Sequence, residues 1–190
     1  MVDVLSPLKT KTKAGRHGAA GDTGVTLGIR SIEGLWQLAG WSGFETAAEP
    51  ILKRLGLEDA GTFREARRTD HATAWRIAPD KILLETARGL GDQQSADLAV
   101  LDLGHARAAI TLNGPAARDL LSQLIAIDVS TAAFRPGEFI QTGIHHIGVL
   151  IHCLEADRFD ILVPGTWAES VWEVLFDNAL PHGVEVREAP

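Results

Sequence analysis

The sequence predicts an α+β fold built from two duplicated split β-α-β, or ferredoxin-like, halves. Short apolar runs with strand composition alternate with segments in which apolar residues recur at helical spacing. The same order of elements also recurs: a turn at Pro79-Asp80 is matched by one at Ala156-Asp157, about 77 residues later. The length of 190 residues suits one domain or two small fused halves. Together these observations favour a duplicated sandwich of sheet and helix.

The first half begins with two strand candidates and a helix. Residues 25–31 and 35–41 have strand composition, and Glu33-Gly34 between them is a turn pair, so we expect a hairpin. Apolar residues at helical spacing predict a helix over 44–55, with Ser42 as its cap. Pro50 inside this pattern predicts a kink or a later helix start.

The remaining elements follow from the same signals. They are a hairpin of residues 72–79 and 81–86, a short helix over 92–98, a long strand within 100–112, a helix capped by Asn113 with Pro115 in its first turn, three strands around 138–164, and a helix over 166–180. We expect pseudo-repeats over about 25–98 and 99–190.

The segment 1–24 is predicted to be a flexible basic and glycine-rich arm, because its residues 9–24, KTKTKAGRHGAAGDTG, have almost no apolar side chains. An alternative is that the arm becomes ordered on an acidic partner subunit. Its basic residues are Lys9, Lys11, Lys13 and Arg16.

Composition narrows the class of protein. The formal charge of −7 and the pI of about 5.4 argue against nucleic-acid binding, which normally requires a basic surface. The single cysteine, Cys153, leaves no pair for an intramolecular disulfide. The N-terminal residues lack the apolar run of a signal peptide, and no apolar segment is long enough for a membrane span. We therefore expect a cytoplasmic protein without membrane partners.

No catalytic or metal site is predicted from side-chain patterns. His146 and His152 could share a sheet face with a third metal ligand, but no metal-binding frame supports this, and ordinary sheet histidines are the favoured interpretation. Asp102 and His105 point to opposite faces of a strand unless Gly104 bends it. No phosphate-binding glycine motif is present.

The single cysteine and the tryptophans are the remaining candidates for functional residues. Cys153 lies among apolar residues and is predicted to be a buried, inert thiol. Of the five tryptophans, Trp172 fits a core stripe, whereas one or two of the others are candidates for exposed anchors of a protein interface.

The second half carries an ordered set of motifs that resembles the folate-binding domain of glycine-cleavage T-proteins. That pattern has a DxSH strand, a G-P helix start, a DV pair and a PG turn. The closer resemblance is to the γ subunit of heterotetrameric sarcosine oxidases, through LDLGHAR, LNGPAARDLL, FRPGEFIQT, FDILVP, RIAPDKILLE and the tryptophan-bearing terminal helix. The matching T-protein positions are Asp102, His105, Gly114, Pro115, Asp128, Val129, Pro136 and Gly137.

The sequence departs from the T-protein pattern at one important place. Relatives that act on folate carry an acidic pair after the segment that here reads GVL, whereas this chain has Ile151 and His152. Losing that partner leaves polar groups of a bound pterin unpaired, at a cost of about 1–3 kcal/mol each. The resemblance therefore implies a retained fold and only a vestigial folate pocket, whose candidate residues are Asp102, His105, Arg107, Gln141 and His152.

The resemblance implies a non-catalytic subunit of a complex that oxidises sarcosine to glycine. The methyl carbon passes to tetrahydrofolate or leaves as formaldehyde, and oxygen is reduced to peroxide. FAD, FMN and NAD are expected in large flavoprotein subunits and zinc in the smallest subunit, with no cofactor in this chain, which would assemble and stabilise its partners. The alternatives are a stand-alone folate-binding protein of the T-protein-like family and, less favoured, an independent aminomethyltransferase.

Overall fold

A computed structural model describes residue 8, residues 13–91, residue 93 and residues 95–187. Lys9 and Lys11 of the predicted arm lie outside these residues. The described part contains two antiparallel-rich sheets and three α-helices, which confirms the predicted α+β class. A bilayer-spanning helix is absent from it, since none of its helices has the necessary length and hydropathy.

The elements are named here in chain order. The strands are β1 (Gly15–His17), β2 (Val25–Arg30), β3 (Leu35–Gly40), β4 (Arg67–Arg68), β5 (Thr73–Ala78), β6 (Lys81–Glu85), β7 (Leu98–Asp102), β8 (Arg107–Asn113), β9 (Phe139–Ile144), β10 (Ile147–Glu155), β11 (Arg158–Pro164) and β12 (Val184–Arg187). The helices are α1 (Phe44–Arg54), α2 (Ala117–Leu124) and α3 (Ala168–Ala179).

The chain forms two compact units. The first combines Met1–Ser31 with His105–Pro190, and the second is Ile32–Gly104. The predicted pseudo-repeats, 25–98 and 99–190, concern internal duplication and stay a prediction. Within the predicted arm, Leu8 is buried in the core of the first unit, and β1 pairs with β12.

The first unit is a seven-stranded sheet in the order β1-β12-β2-β8-β11-β10-β9, with the pair β12/β2 parallel and the other pairs antiparallel. Alternate residues of a strand point to opposite faces. One face, represented by Ile110, Ile151 and Ile161, forms a core with apolar residues of α2 and α3, such as Leu120 and Val171.

The second unit is a five-stranded sheet in the order β4-β5-β6-β3-β7. Leu38, Ile82 and Leu84 on one face pack with Phe44 and Ile51 of α1. The hairpin β5-β6, with its turn at Pro79-Asp80, is as predicted. So is the β10-β11 hairpin in the first unit.

The first predicted hairpin is wrong in its pairing. Both strands exist, but β2 pairs with β12 and β8, whereas β3 pairs with β6 and β7 of the other sheet. The chain passes from the first unit to the second between them, so Glu33-Gly34 belongs to a connection. The long strand predicted within 100–112 likewise divides at the turn 104–106 into β7 and β8.

The short helix predicted over 92–98 is also wrong. In its described residues, Ser95 and Leu98 exchange backbone hydrogen bonds of 2.9 and 3.3 Å across a tight turn that leads into β7. The predicted caps differ as well. Gly43 stands before α1 in place of Ser42, and Ala116 stands before α2 in place of Asn113.

Candidate functional site

The second face of the seven-stranded sheet, away from α2 and α3, carries buried polar side chains. His152 on β10 and Asp160 on β11 lie on this face because their neighbours Ile151 and Ile161 belong to the helix-side core. His152 is 3% exposed and Asp160 is 6% exposed. Buried ionisable groups of this kind are rare unless they are paired, so the face is a candidate site.

Asp160 is neutralised by an arginine. Arg30 Nε lies 2.7 Å from Asp160 Oδ2 in an ion pair with little solvent access. Asp160 also stands directly opposite His152 on β10 and Thr111 on β8 in the register of the sheet. The arrangement is a row of polar residues across three strands, with its carboxylate held by a guanidinium from a fourth.

Three of the proposed folate-pocket residues share this face. Gln141 on β9 is exposed and lies opposite Leu150, two residues from His152. Arg107 begins β8 and is half-buried, and the burial lowers the pKa of its guanidinium from the ordinary value. The sheet therefore brings Arg107, Gln141 and His152 to one surface, although β11 and β10 separate Arg107 from Gln141.

The other two pocket candidates lie elsewhere in the chain. Asp102 is exposed at the end of β7 in the second unit, and its Oδ1 accepts a hydrogen bond of 2.8 Å from the backbone N–H of Gly104. His105 is exposed in the turn before β8 and belongs to the first unit. The Asp102 carboxylate is therefore engaged in a local turn that ends its strand.

The two positions of the T-protein acidic pair face opposite ways. Ile151 is fully buried in the core against α2 and α3, where a carboxylate would have no partner. Only position 152 lies on the second face of the sheet. The residue present there is histidine, beside the Asp160 carboxylate that Arg30 already holds.

Cys153 is buried on the helix side of the sheet, as the sequence predicts. Burial raises the pKa of its thiol, although the guanidinium of Arg118, 3.6 Å from Sγ, favours the thiolate. The neutral thiol is a poor nucleophile. The structure therefore favours a structural role for this residue.

We expect native Cys153 to react with a disulfide reagent at least about 100-fold more slowly than in the unfolded chain, because reaction requires local opening. Release of the reagent's chromophore, measured with and without guanidinium chloride, provides the test. Rapid labelling of the native protein would contradict the buried position of the thiol.

A second feature is the two-residue turn between β9 and β10. Ile144 pairs with Ile147, so His145 and His146 form the entire loop, and their φ angles are 48° and 69°. Both residues are therefore left-handed, as in a type I′ turn, where Asn-Gly is preferred. Each left-handed non-glycine residue costs about 1 kcal/mol. The two exposed imidazoles stack with ring centroids 6.5 Å apart.

These histidines border an open groove of about 500 Å³. Its other walls come from the start of β10, the end of β11 and one side of α3. Trp167, which precedes α3, is 53% exposed. Besides the two histidines, the groove is lined by Ile147, Gly148, Pro164, Trp167, Ser170 and Val174.

The predicted alternative of a metal site at His146 and His152 is not supported by the geometry. His146 is exposed in the turn, whereas His152 is buried in the middle of β10. Within the described residues, no three histidine, cysteine, aspartate or glutamate side chains are grouped so that they could hold a metal ion.

The sequence analysis missed the Arg30–Asp160 pair and the groove. Asp160 interrupts the apolar run FDILVP, and Arg30 ends the apolar run VTLGIR. A charged residue within a buried strand requires a partner of opposite charge, so each of these two residues predicts an ion pair. The sequence indicates the groove more weakly, through two adjacent histidines between predicted strands.

Comparison with known proteins gives structural neighbours. No model of a known protein family and no curated protein sequence matches the chain. A chain of the heterotetrameric sarcosine oxidase from Corynebacterium sp. U-96, solved with pyrrole 2-carboxylate, superposes with a TM-score of 0.80 at 23% identity. The match covers 94% of this chain and 95% of the other. The two chains share one fold.

A second neighbour is the aminomethyltransferase T of the glycine cleavage system from Bartonella henselae. It superposes with a TM-score of 0.57 at 16% identity, and the match covers 96% of this chain. The chain spans only 57% of the length of that protein. The T-protein-like fold predicted from the motifs is therefore confirmed. This chain is a little over half as long as the aminomethyltransferase.

Proposed function

We propose that this chain is a non-catalytic, γ-type subunit of a heterotetrameric sarcosine oxidase. Its role is to assemble and stabilise the large flavoprotein subunits and the small zinc subunit, in the cytoplasm. FAD, FMN, NAD and zinc belong to those partners. The complex oxidises sarcosine to glycine, with peroxide and a one-carbon unit as further products.

The observation that carries the proposal is the end-to-end match to a chain of a heterotetrameric sarcosine oxidase. A TM-score of 0.80 with 94% and 95% coverage leaves little of either chain unmatched.

The candidate pocket supports a non-catalytic role. Folate handling in the T-protein family uses an acidic pair, and the two equivalent positions here are a core isoleucine and a buried histidine. The neighbouring carboxylate of Asp160 is paired with Arg30 at 2.7 Å, so a pterin would have to displace the guanidinium to use it. The residues present do not fit a folate site, and no reaction step is assigned to them.

Co-expression tests the subunit role. We expect the flavoprotein subunits of the candidate oxidase to show lower yield and a lower unfolding midpoint when this chain is omitted, because an obligate interface buries apolar surface that is otherwise exposed. Copurification and thermal denaturation with and without the chain measure this. Unchanged yield and midpoint in its absence would refute the proposal.

The runner-up, a stand-alone folate-binding protein, makes a different prediction. Calorimetric titration of the isolated chain with tetrahydrofolate should give no binding up to about millimolar concentration, because the cost of unpaired pterin groups opposes it. Micromolar binding would favour the runner-up. An unrelated tightly folded protein of similar charge serves as the control for heats of dilution.

A further inference from the structure

The proposed function does not explain the groove beside the His145–His146 turn in the first unit. The turn adopts a left-handed conformation at both positions, although glycine or asparagine would adopt it with less strain. Strain that a chain keeps at an exposed position is a reason to look for a function there. The exposed indole of Trp167 in the same groove is a second, independent reason.

The chemistry of the groove walls favours one kind of occupant. Ile147, Pro164, Trp167 and Val174 supply an apolar surface. The polar groups are two imidazoles and the hydroxyl of Ser170. None of the described residues that line the groove is acidic, although the chain carries 25 acidic residues and a formal charge of −7.

We propose that this groove docks a segment of a flavin-bearing partner subunit that presents an apolar or aromatic side chain followed by a carboxylate. The side chain packs on Trp167 and Val174, and the carboxylate accepts hydrogen bonds from His145 and His146. Tryptophan anchors surrounded by polar donors are typical of the residues that dominate binding energy in interfaces. The inference rests on the proposed function, because it takes the partner from it.

The turn gives a variant that separates folding from docking. His145→Asn combined with His146→Gly supplies the preferred type I′ pair, so the unfolding midpoint should rise by about 2–4 °C. The same variant removes both imidazoles, so affinity for the flavoprotein subunits should fall at least about tenfold. A gain in stability with a loss of assembly is not expected from a purely structural turn.

Trp167 and Ser170 supply the other variants. Trp167→Ser should weaken assembly at least about tenfold with little change in midpoint, because the indole is half exposed. Trp41→Ser is the matched control, since Trp41 is 66% exposed and lies in the second unit. Ser170→Glu should weaken assembly while Ser170→Lys preserves or tightens it, because the occupant carries a carboxylate.

The experiment is a titration of purified wild-type chain and variants against the co-expressed flavoprotein subunits, with circular dichroism to confirm folding. Wild-type affinity in both Trp167→Ser and the turn variant would overturn the docking proposal alone. Failure of the wild-type chain to bind those subunits would overturn the proposed function as well. Equal effects of Ser170→Glu and Ser170→Lys would overturn the acidic occupant. Self-association of the isolated chain that Trp167→Ser abolishes would identify a second copy as occupant instead.

Discussion

Replacing Arg118 with methionine is expected to lower the free energy of unfolding by about 4 kcal/mol. Arg118 lies on α2 with only 11% of its side chain exposed. Its guanidinium donates hydrogen bonds to three backbone carbonyls, those of Val129, Phe134 (3.1 Å) and Ala156 (2.6 Å). It also stacks over the Phe159 ring, 5.1 Å from the centroid. Methionine fills the volume but leaves these carbonyls unsatisfied.

Urea denaturation at constant m-value measures the effect. Arg158→Met is the matched control, because Arg158 pairs with Glu155 on the surface and should contribute under about 1 kcal/mol. Arg118→Lys should recover little, since an ammonium cannot reproduce the fork of the guanidinium. A loss below about 1 kcal/mol for Arg118→Met would show that water replaces these bonds.

Arg118 explains why the motifs of the resemblance predicted the fold better than the site. LNGPAARDLL contributes Arg118, and the following DV pair and FRPGE segment contain two of the three carbonyls that it binds. Asp128 Oδ1 accepts a bond of 2.8 Å from the N–H of Ser130 and shapes the same loop. These family positions hold the loop between α2 and β9 in place. Their role is structural, so they carry the fold whether or not a ligand binds.

Gly114, another position of the resemblance, also has a structural role, which it fulfils through its backbone conformation. Its φ is 119°, and a Cβ there would lie 2.5 Å from the carbonyl oxygen of Gly24 on the neighbouring chain segment. The glycine of the G-P pair is thus required by close packing before α2. A sequence pattern can report such a requirement, because only glycine satisfies it.

Strand identity could be predicted from the sequence, but strand pairing could not. Alternation and β-branched residues are local properties, so the sequence predicts strands at the positions of β2, β3, β5, β6, β8, β9, β10 and β11. Pairing depends on which sheet a strand joins. The chain changes units after Ser31 and again before His105, and no local signal distinguishes such a crossover from a hairpin turn.

The candidate site was hidden for a related reason. The sequence predicts that His152 lies on a strand. Its neighbour Asp160 lies on the adjacent strand β11, and Arg30 precedes Asp160 by 130 positions in the sequence. Only the register of the sheet places His152 opposite Asp160 and brings Arg30 of β2 within ion-pair distance of that carboxylate. A charged residue in the apolar run FDILVP predicts a partner for the Asp160 carboxylate, but no local pattern identifies that partner as Arg30.

Removing one member of the Arg30–Asp160 pair is the second large effect we expect. Asp160→Asn preserves shape but removes the charge, and should lower the free energy of unfolding by about 3 kcal/mol, because the partly buried guanidinium of Arg30 loses its counter-ion. Arg30→Met should have a similar cost for the opposite reason. The double variant should lose much less than the sum of the two, since no buried charge of the pair then remains uncompensated.

A double-mutant cycle by urea denaturation gives the coupling, which should exceed about 1 kcal/mol. The exposed pair Arg187 and Glu185, 3.5 Å apart, is the control cycle and should give a coupling near zero. The same variants bear on function, because Asp160 is the carboxylate nearest in register to the position of the missing acid. Arg30→Met leaves the Asp160 carboxylate without its arginine partner. If this variant binds tetrahydrofolate with micromolar affinity while the wild type does not, the ion pair of Asp160 with Arg30 is what prevents folate binding. Additive losses in the cycle would instead show that Arg30 and Asp160 are stabilised independently of each other.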